Sequence, residues 1–267
     1  MLISYDKSYN KDLFKILDNN PFQNVYLVID AEMYGFEGDN VKTWIIEDSQ
    51  HNCQCIIYQY YNSIQLFETK YCDDLAINEV SDFLISHSYD MVSGTNYIIS
   101  KLDEKLNHIY NSEFGYIFKC QQMAVRPKSC FVKTALLSQM EEISRLICTD
   151  ENIGGHYHAD VLATQLKERY LYKGCRNVIY TIEDRIVGHM ATYAETENIA
   201  VLGGLITDSE YRGKGIGKIV LQFITAITQL EGKQPILYCY DPQIYSWYES
   251  IGWVKQTQCG KLERKNQ

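Results

Sequence analysis

The sequence has few prolines and no long hydrophobic run. Proline occurs only at Pro21, Pro127, Pro235 and Pro242, and charged residues interrupt every apolar segment. A membrane-spanning helix needs about 20 consecutive apolar residues, so we expect no membrane partner. The N-terminal segment MLISYDKSYNKDLFKIL carries scattered charges where a secretory signal needs an uninterrupted apolar stretch. We therefore expect a soluble, cytoplasmic protein.

Positive charge is scarce in the first half of the chain. Residues 1–125 carry 8 Lys and Arg against 18 Asp and Glu, whereas residues 126–267 carry 17 against 16. Nucleic acids are bound through clusters of Lys and Arg, so we expect no nucleic-acid partner. The excess of acidic residues either keeps the protein soluble or attracts a cationic substrate.

The cysteines and histidines lack the spacing of a disulfide framework or a metal site. The chain has nine cysteines, an odd number, which is typical of a protein in a reducing compartment. Cys53 and Cys55 form a lone C-x-C, and His156 and His158 lie two positions apart. Neither pair has further ligands at metal-site spacing, so the sequence predicts no bound metal.

The order of predicted elements indicates two similar halves. Pro127 separates a strand-like segment from a long helical one, and no Gly/Ser linker is present, so we place domains at residues 1–125 and 126–267. In the first half, for example, residues 24–30 (NVYLVID) are predicted as a strand. The mixture of helices and strands predicts an α/β fold with a mixed sheet, the first half being a degenerate repeat of the second.

A glycine-rich turn lies in the segment ITDSEYRGKGIGKIVLQFI, residues 206–224. Gly213, Gly215 and Gly217 alternate just before an amphipathic helix, with Arg212 and Lys214 beside them. The first N–H groups of a helix lack intrahelical partners, and the helix dipole favours an anion there. Glycine lets the backbone approach that anion closely. The pattern predicts a phosphate site, although an ordinary strand-to-helix connection also accounts for it.

Two common phosphate motifs do not fit this turn. A P-loop requires G-x-x-x-x-G-K-[ST], but Ile219 follows Lys218, and Arg212 stands where the first glycine belongs. A dinucleotide fingerprint G-x-G-x-x-G requires glycine at Lys218 or Val220. The spacing therefore excludes both motifs.

The remaining pattern, Arg212-x-x-Gly215-x-Gly217 between a strand and an amphipathic helix, resembles the pyrophosphate-binding signature of the GCN5-related N-acetyltransferases, the GNAT family. Residues 245–253 (YSWYESIGW) resemble the second motif of that family: a helical tyrosine and glutamate, a glycine, and an aromatic residue opening the last strand. The resemblance covers about residues 130–260, the length of one domain. It implies a GNAT-like fold, two tandem domains and acetyl-CoA as co-substrate without a metal.

The resemblance also implies roles for individual residues. Tyr248 matches the general acid of the family, because a phenol remains protonated at neutral pH. Glu195, in the same hairpin as Glu197, is the expected general base. Both positions also have structural explanations, since Tyr248 lies on an apolar helical stripe and hairpin glutamates are usually solvated. The expected cofactor-binding residues, on the strand and in the turn, are Leu205, Ile206, Thr207, Arg212, Gly213, Lys214, Gly215, Ile216 and Gly217.

These motifs predict an N-acetyltransferase that moves an acetyl group from acetyl-CoA to a primary amine of a small molecule or peptide. The acidic first half favours a cationic acceptor. The alternative is a non-catalytic acyl-CoA-binding or sensing module. In the first half, the segment TKYCDD replaces the glycine turn with adjacent carboxylates that repel a phosphate, so we expect one CoA per chain. The acceptor, the acyl chain length and the oligomeric state stay open.

Overall fold

The computed structural model describes residues 1–6, 10–20, 22–151, 153 and 158–265, so His156 lies outside the described residues. The chain forms two compact units, neither of which is continuous in sequence. The first comprises Met1–Ile117, Cys239–Tyr245 and Lys255–Gln267, and the second comprises Phe118–Tyr238 and Ser246–Val254. This division differs from a single boundary after residue 125 because the end of the chain returns to the first unit.

The first unit contains the elements from the start of the chain and the greater part of its last strand. Among the described residues its elements are β1 (Leu2–Ser4), α1 (Asn10–Asp18), α2 (Val25–Tyr34), β2 (Val41–Glu47), β3 (Cys53–Tyr60), β4 (Ser63–Glu68), α3 (Asp74–Ser86), β5 (Met91–Thr95), α4 (Asn96–Leu106), most of β6 (Tyr110–Cys120) and most of β12 (Trp253–Arg264). Strands β1 to β4 pair in order and antiparallel, and β4 pairs with β5 in parallel. β4 and β5 can run parallel because the helix α3 connects the end of β4 to the start of β5 at the opposite end of the sheet.

The second unit repeats this arrangement. Its elements are β7 (Val132–Thr134), α5 (Met140–Ile147), α6 (Ala159–Lys173), β8 (Asn177–Ile182), β9 (Arg185–Glu195), β10 (Ile199–Thr207), α7 (Ile216–Leu230), most of β11 (Gln234–Cys239), most of α8 (Tyr245–Ser250) and the start of β12 (Trp253–Arg264). Strands β7 to β10 pair in order and antiparallel, and β10 pairs with β11 in parallel. The crossover here is α7.

The order of elements is identical from β1 to β6 and from β7 to β12: β-α-α-β-β-β-α-β-α-β. This order confirms the predicted mixed α/β fold. The strand predicted at residues 24–30 is wrong, because residues 25–30 form the start of the helix α2. The residues Val25 and Leu27 to Ala31 are all buried, so the segment lacks the one-sided apolar pattern of a surface helix. Asn24 caps it, its side chain accepting a hydrogen bond from the Leu27 N–H at 3.3 Å.

Helices cover the strands of each unit. In the first unit, Leu66 and Ile64 of β4 join a buried cluster with α3 and α4, whereas Phe67 joins a cluster with α1 and α2. In the second unit, Ile179 and Ile206 pack with α5 and α6. Alternate residues of a strand point to opposite faces, so these clusters fix which side chains face which helices. Among the described residues, no helix is long and apolar enough to cross a membrane.

Candidate active site

The strands β10 and β11 separate along part of their length. Their parallel pairing ends at Leu202 and Leu237, although β10 continues to Thr207. On its other edge, β10 remains paired with β9, where Ile206 lies opposite His189. The edge of β10 from residue 203 onward is therefore not paired with β11. The second unit thus has an opening between two parallel strands at their carboxyl ends.

A bulge shapes β10 beside this opening. The register between β9 and β10 shifts between Gly203 and Ile206, and Gly204 has a φ angle of +65°. A Cβ atom on Gly204 would lie 2.1 Å from the hydroxyl oxygen of Tyr193, and one on Gly203 would lie 2.6 Å from its ring. The two glycines therefore let the Tyr193 side chain lie against the bulged backbone. Tyr193 was not predicted from the sequence, in which the only signal of this close contact is the pair of glycines within a strand.

The imidazole of His189 supports the same bulge. It is fully buried, with Nδ1 3.1 Å from the Gly204 carbonyl oxygen and Nε2 2.9 Å from Oδ1 of Asn177. Burial lowers the pKa of His189 to about 4, so the ring is neutral at pH 7. A carbonyl oxygen only accepts, so Nδ1 donates to Gly204, and the Asn177 amide satisfies Nε2 when its NH₂ group faces the ring.

The glycine turn leaves a row of N–H groups at the start of α7. Gly213 and Gly215 have φ angles of +76° and +79°, and Gly215 is the N-cap residue without a side-chain capping bond. Within the described part of the chain, no backbone N–H of residues 213–217 donates a hydrogen bond. A Cβ atom on Gly213 or Gly215 would meet nothing within 4 Å, so the turn is open. These N–H groups and the helix dipole form a site suited to an anion.

The two basic residues of the turn have protein partners. Arg212 forms a salt bridge from Nη2 to Oδ2 of Asp150 at 2.9 Å, and its Nε donates to the carbonyl oxygen of Thr207 at 3.1 Å. Lys214 Nζ donates to the carbonyl oxygen of Glu210 at 3.2 Å. Arg212 therefore holds the turn against the end of β10, and both basic side chains are bonded to oxygen atoms of the protein.

The predicted strand residues face different sides of the sheet. A Cβ atom on Gly217 would lie 3.4 Å from Oγ1 of Thr207 and 3.9 Å from Leu205, so these two side chains face the start of α7. Ile206 packs in the opposite core, against α5 and α6. Ile216 is 4% exposed and buried at the start of α7. Only the backbone of Ile206 and Ile216 is therefore available to a ligand, as the family resemblance implies.

Tyr248 lies in an aromatic cluster. Its side chain is 6% exposed, and its ring centroid lies 5.5 Å from that of Phe118, 4.9 Å from Trp247 and 6.3 Å from Trp253. These contacts fix the ring orientation, which supports a packing role. Its catalytic role stays a prediction from the family motif.

Glu195 lies in a network of ion pairs at the end of β9. Its carboxylate is 4% exposed and accepts hydrogen bonds from Arg176, at 2.8 Å, and from Lys233. Arg176 in turn binds both carboxylate oxygens of Glu231, at 2.6 and 2.8 Å. In the pairing with β10, Glu195 lies opposite Ala200, before the opening begins. We therefore revise the sequence prediction: this glutamate stabilises the fold, and we do not assign it as the general base.

The described residues contain no group of three or more His, Cys, Asp or Glu side chains placed to hold a metal ion.

Comparison with protein families shows that residues 140–253 match the family model described as the acetyltransferase (GNAT) family. This match includes β9, β10, the glycine turn, α7 and α8. No curated protein sequence matches the chain.

Solved structures show the same fold over the full length of the chain. A GNAT acetyltransferase from Colwellia psychrerythraea aligns with a TM-score of 0.63 and 12% identity, covering 99% of this chain and 100% of that one. A GCN5-related N-acetyltransferase from Sphaerobacter thermophilus aligns with a TM-score of 0.65 and 12% identity, covering 99% and 95%. A tandem GNAT protein from the clavulanic acid biosynthesis pathway aligns with a TM-score of 0.62 and 7% identity, covering 100% and 99%. Identities this low establish the fold alone.

Proposed function

We propose, from the match of residues 140–253 to the GNAT family model, that the protein is an N-acetyltransferase that uses acetyl-CoA and a primary amine. The observation that carries the proposal is the row of unpaired N–H groups at residues 213–217, at the start of α7. The opening between β10 and β11 lies in the same unit. An anion site next to an unpaired strand edge fits a pyrophosphate followed by an extended chain of amides.

The backbone would provide most of the binding. The N–H groups of residues 213–217 would donate to the pyrophosphate, and the charges of Arg212 and Lys214 would strengthen those bonds. The unpaired edge of residues 205–207 would form strand-like hydrogen bonds with the amides of the pantetheine arm. Glycine has no side chain and so leaves room for the ligand beside these N–H groups, which explains why this turn contains three glycines.

Acetyl-CoA supplies a thioester that an amine attacks directly. The transfer requires a neutral amine, stabilisation of the oxyanion and a proton for the departing thiolate. We assign the proton donation to Tyr248, whose ring is held by its aromatic neighbours. Tyr193 lies against the bulge and is our candidate for orienting the acceptor amine.

The test is release of free CoA from acetyl-CoA in the presence of a panel of amines: amino acids, polyamines, aminoglycosides and peptides. We expect at least one amine to accelerate release and to be recovered as its acetamide. If CoA binds but no amine accelerates its release, the alternative holds, and the protein is an acyl-CoA-binding or sensing module.

A substitution at Tyr248 separates catalysis from packing. Tyr248→Phe keeps the ring and removes the hydroxyl, so turnover should fall by about 100-fold while CoA affinity changes little. Tyr245→Phe is the matched control, because Tyr245 lies in the same helix and its hydroxyl bonds a backbone carbonyl, that of Cys239. Equal loss of turnover and affinity in Tyr248→Phe would assign Tyr248 a structural role only.

A further inference from the structure

The first unit has its own opening between parallel strands. Pairing of β4 with β5 is observed only as far as Gln65 and Ser93, whereas β4 continues to Glu68 and β5 to Thr95. By element order, β4 and β5 correspond to β10 and β11 of the second unit. A cavity of about 620 Å³ lies at this opening. Its lining includes Glu68, Lys70, Thr95, Asn96, Gln256 and Gln258.

This opening is unsuited to an anion. At the start of α3, Oδ1 of Asp73 accepts hydrogen bonds from the N–H groups of Leu75 and Ala76, at 3.0 and 2.9 Å. The bond from Ala76 is the main reason that the pKa of Asp73 lies below its usual range. Asp74 adds a second carboxylate in the first turn. The helix end that would face a phosphate therefore already has its acceptor and carries negative charge.

A buried carboxylate instead lies at the opening. Thr95 Oγ1 donates to Oε1 of Glu68, and Gln23 Nε2 donates to the Glu68 carbonyl oxygen at 2.8 Å. The other carboxylate oxygen, Oε2, is buried and has no hydrogen-bond partner among the described residues. Burial raises the pKa of Glu68, which reflects the cost of holding this charge without a cationic partner. A donor delivered to Oε2 would remove that cost.

The basic residue closest in sequence does not provide this donor. Lys70 is exposed, and its Nζ lies 5.0 Å from the centroid of the Tyr71 ring. Among the described residues, no salt bridge joins Lys70 to Glu68. The other polar side chains of the lining, among them those of Asn96, Gln256 and Gln258, are uncharged amides and hydroxyls. Glu68 is thus the one carboxylate in the described lining of this cavity.

We propose that this cavity of the first unit binds a small molecule that carries a primary ammonium group, with Oε2 of Glu68 accepting its N–H. The neutral amides of the lining would bond the polar groups of the rest of the molecule. The excess of acidic residues in positions 1–125 would attract such a cation. The site is distinct from the glycine turn, and the inference holds whether or not the second unit transfers an acyl group.

The test is calorimetric titration of the full chain with spermidine and with ethylammonium, using 1-propanol as the uncharged control. We expect saturable binding of the two cations and none of the alcohol. Glu68→Gln retains an acceptor for Thr95 but removes the charge, so the cations should bind at least about ten-fold more weakly. Glu104→Gln makes the same chemical change on an exposed residue of α4 and should leave binding unchanged. Equal affinity in the wild type and Glu68→Gln would overturn the proposal.

A second measurement does not depend on the folding of a variant. Hydrogen–deuterium exchange of the wild-type chain should slow at residues 63–71 and 91–97 when spermidine is added. Exchange that slows only outside these segments, or nowhere, would overturn the proposal. Binding of a second CoA per chain that displaces spermidine would also overturn it, because the cavity would then be an anion site.

Discussion

His189 links the stability of the bulge to pH. The unfolded residue titrates near pH ~6.5, whereas burial lowers its pKa to about 4 in the folded chain. Between these pH values the unfolded chain binds more protons than the folded chain. The contribution of His189 to the free energy of unfolding is therefore fully present above pH ~6.5 and is lost as the pH falls toward 4. The full loss is about 3 kcal/mol.

Urea unfolding at pH 7 and pH 4.5 measures this effect. His189→Gln removes the titrating group, so stability should fall less steeply between these pH values than in the wild type. His108→Gln, which replaces an exposed histidine, is the control and should keep the wild-type slope. An unchanged slope in His189→Gln would show that His189 does not carry the effect.

Gly215 tests whether the turn binds CoA through its backbone. A leucine at Gly215 would be strained by the positive φ angle and would block approach of a ligand to the N–H groups. Gly232, at the other end of α7, has a φ angle of +81° and equally open surroundings. Gly215→Leu and Gly232→Leu should therefore lose similar stability, but only Gly215→Leu should lose CoA affinity, by about 100-fold or more. Retained affinity in Gly215→Leu would remove the turn from the site.

The sequence predicted the residues of the turn but not the side chains that contact the bulge. Gly213, Gly215 and Gly217 act through local backbone geometry, which is encoded in their spacing and in the helix that follows. Tyr193 and His189 reach the bulge only through the pairing of β9 with β10. Register between strands depends on packing over the whole sheet, so adjacent glycines indicate a close contact without identifying its partner.

At the scale of elements, Glu195 of β9 pairs with Lys233 and with Arg176, the residue before β8, and Arg176 in turn pairs with Glu231 at the end of α7. Removing one partner of a buried pair leaves an uncompensated charge, so Glu195→Gln should lower the unfolding free energy by about 3 kcal/mol. Turnover per folded molecule should stay close to that of the wild type. Glu197→Gln alters an exposed glutamate of the same hairpin and should leave both quantities unchanged. A loss of turnover at unchanged stability in Glu195→Gln would restore its assignment as the general base.

Element prediction succeeded where one face of an element is polar and failed where it is not. The amphipathic helix α7 was predicted from its apolar stripe, whereas α2 was mistaken for a strand. Nearly every position of α2 from Val25 to Ala31 is buried, so no polar face marks a helical period. The capping residue Asn24 was the remaining local signal.

At the scale of the molecule, the repeat was predictable but the path of the chain was not. The order of elements repeats from β1 to β6 and from β7 to β12, as expected from the sequence once α2 is assigned as a helix. The end of β12, from Cys259 to Glu263, pairs with β5 in the first unit. Such a pairing joins segments far apart in sequence, and no local pattern in either strand specifies it.

The repeat raises the question of how many CoA molecules one chain binds. The start of α7 offers unpaired N–H groups and positive charge, whereas Asp73 already bonds the N–H groups at the start of α3. Titration calorimetry should therefore give one CoA per chain, and Gly215→Leu should abolish binding rather than halve it. Because Arg212 and Lys214 of the turn are basic, the affinity for CoA should also fall as the salt concentration rises. A stoichiometry of two, or a residual site in Gly215→Leu, would mean that the first unit binds CoA despite its carboxylates.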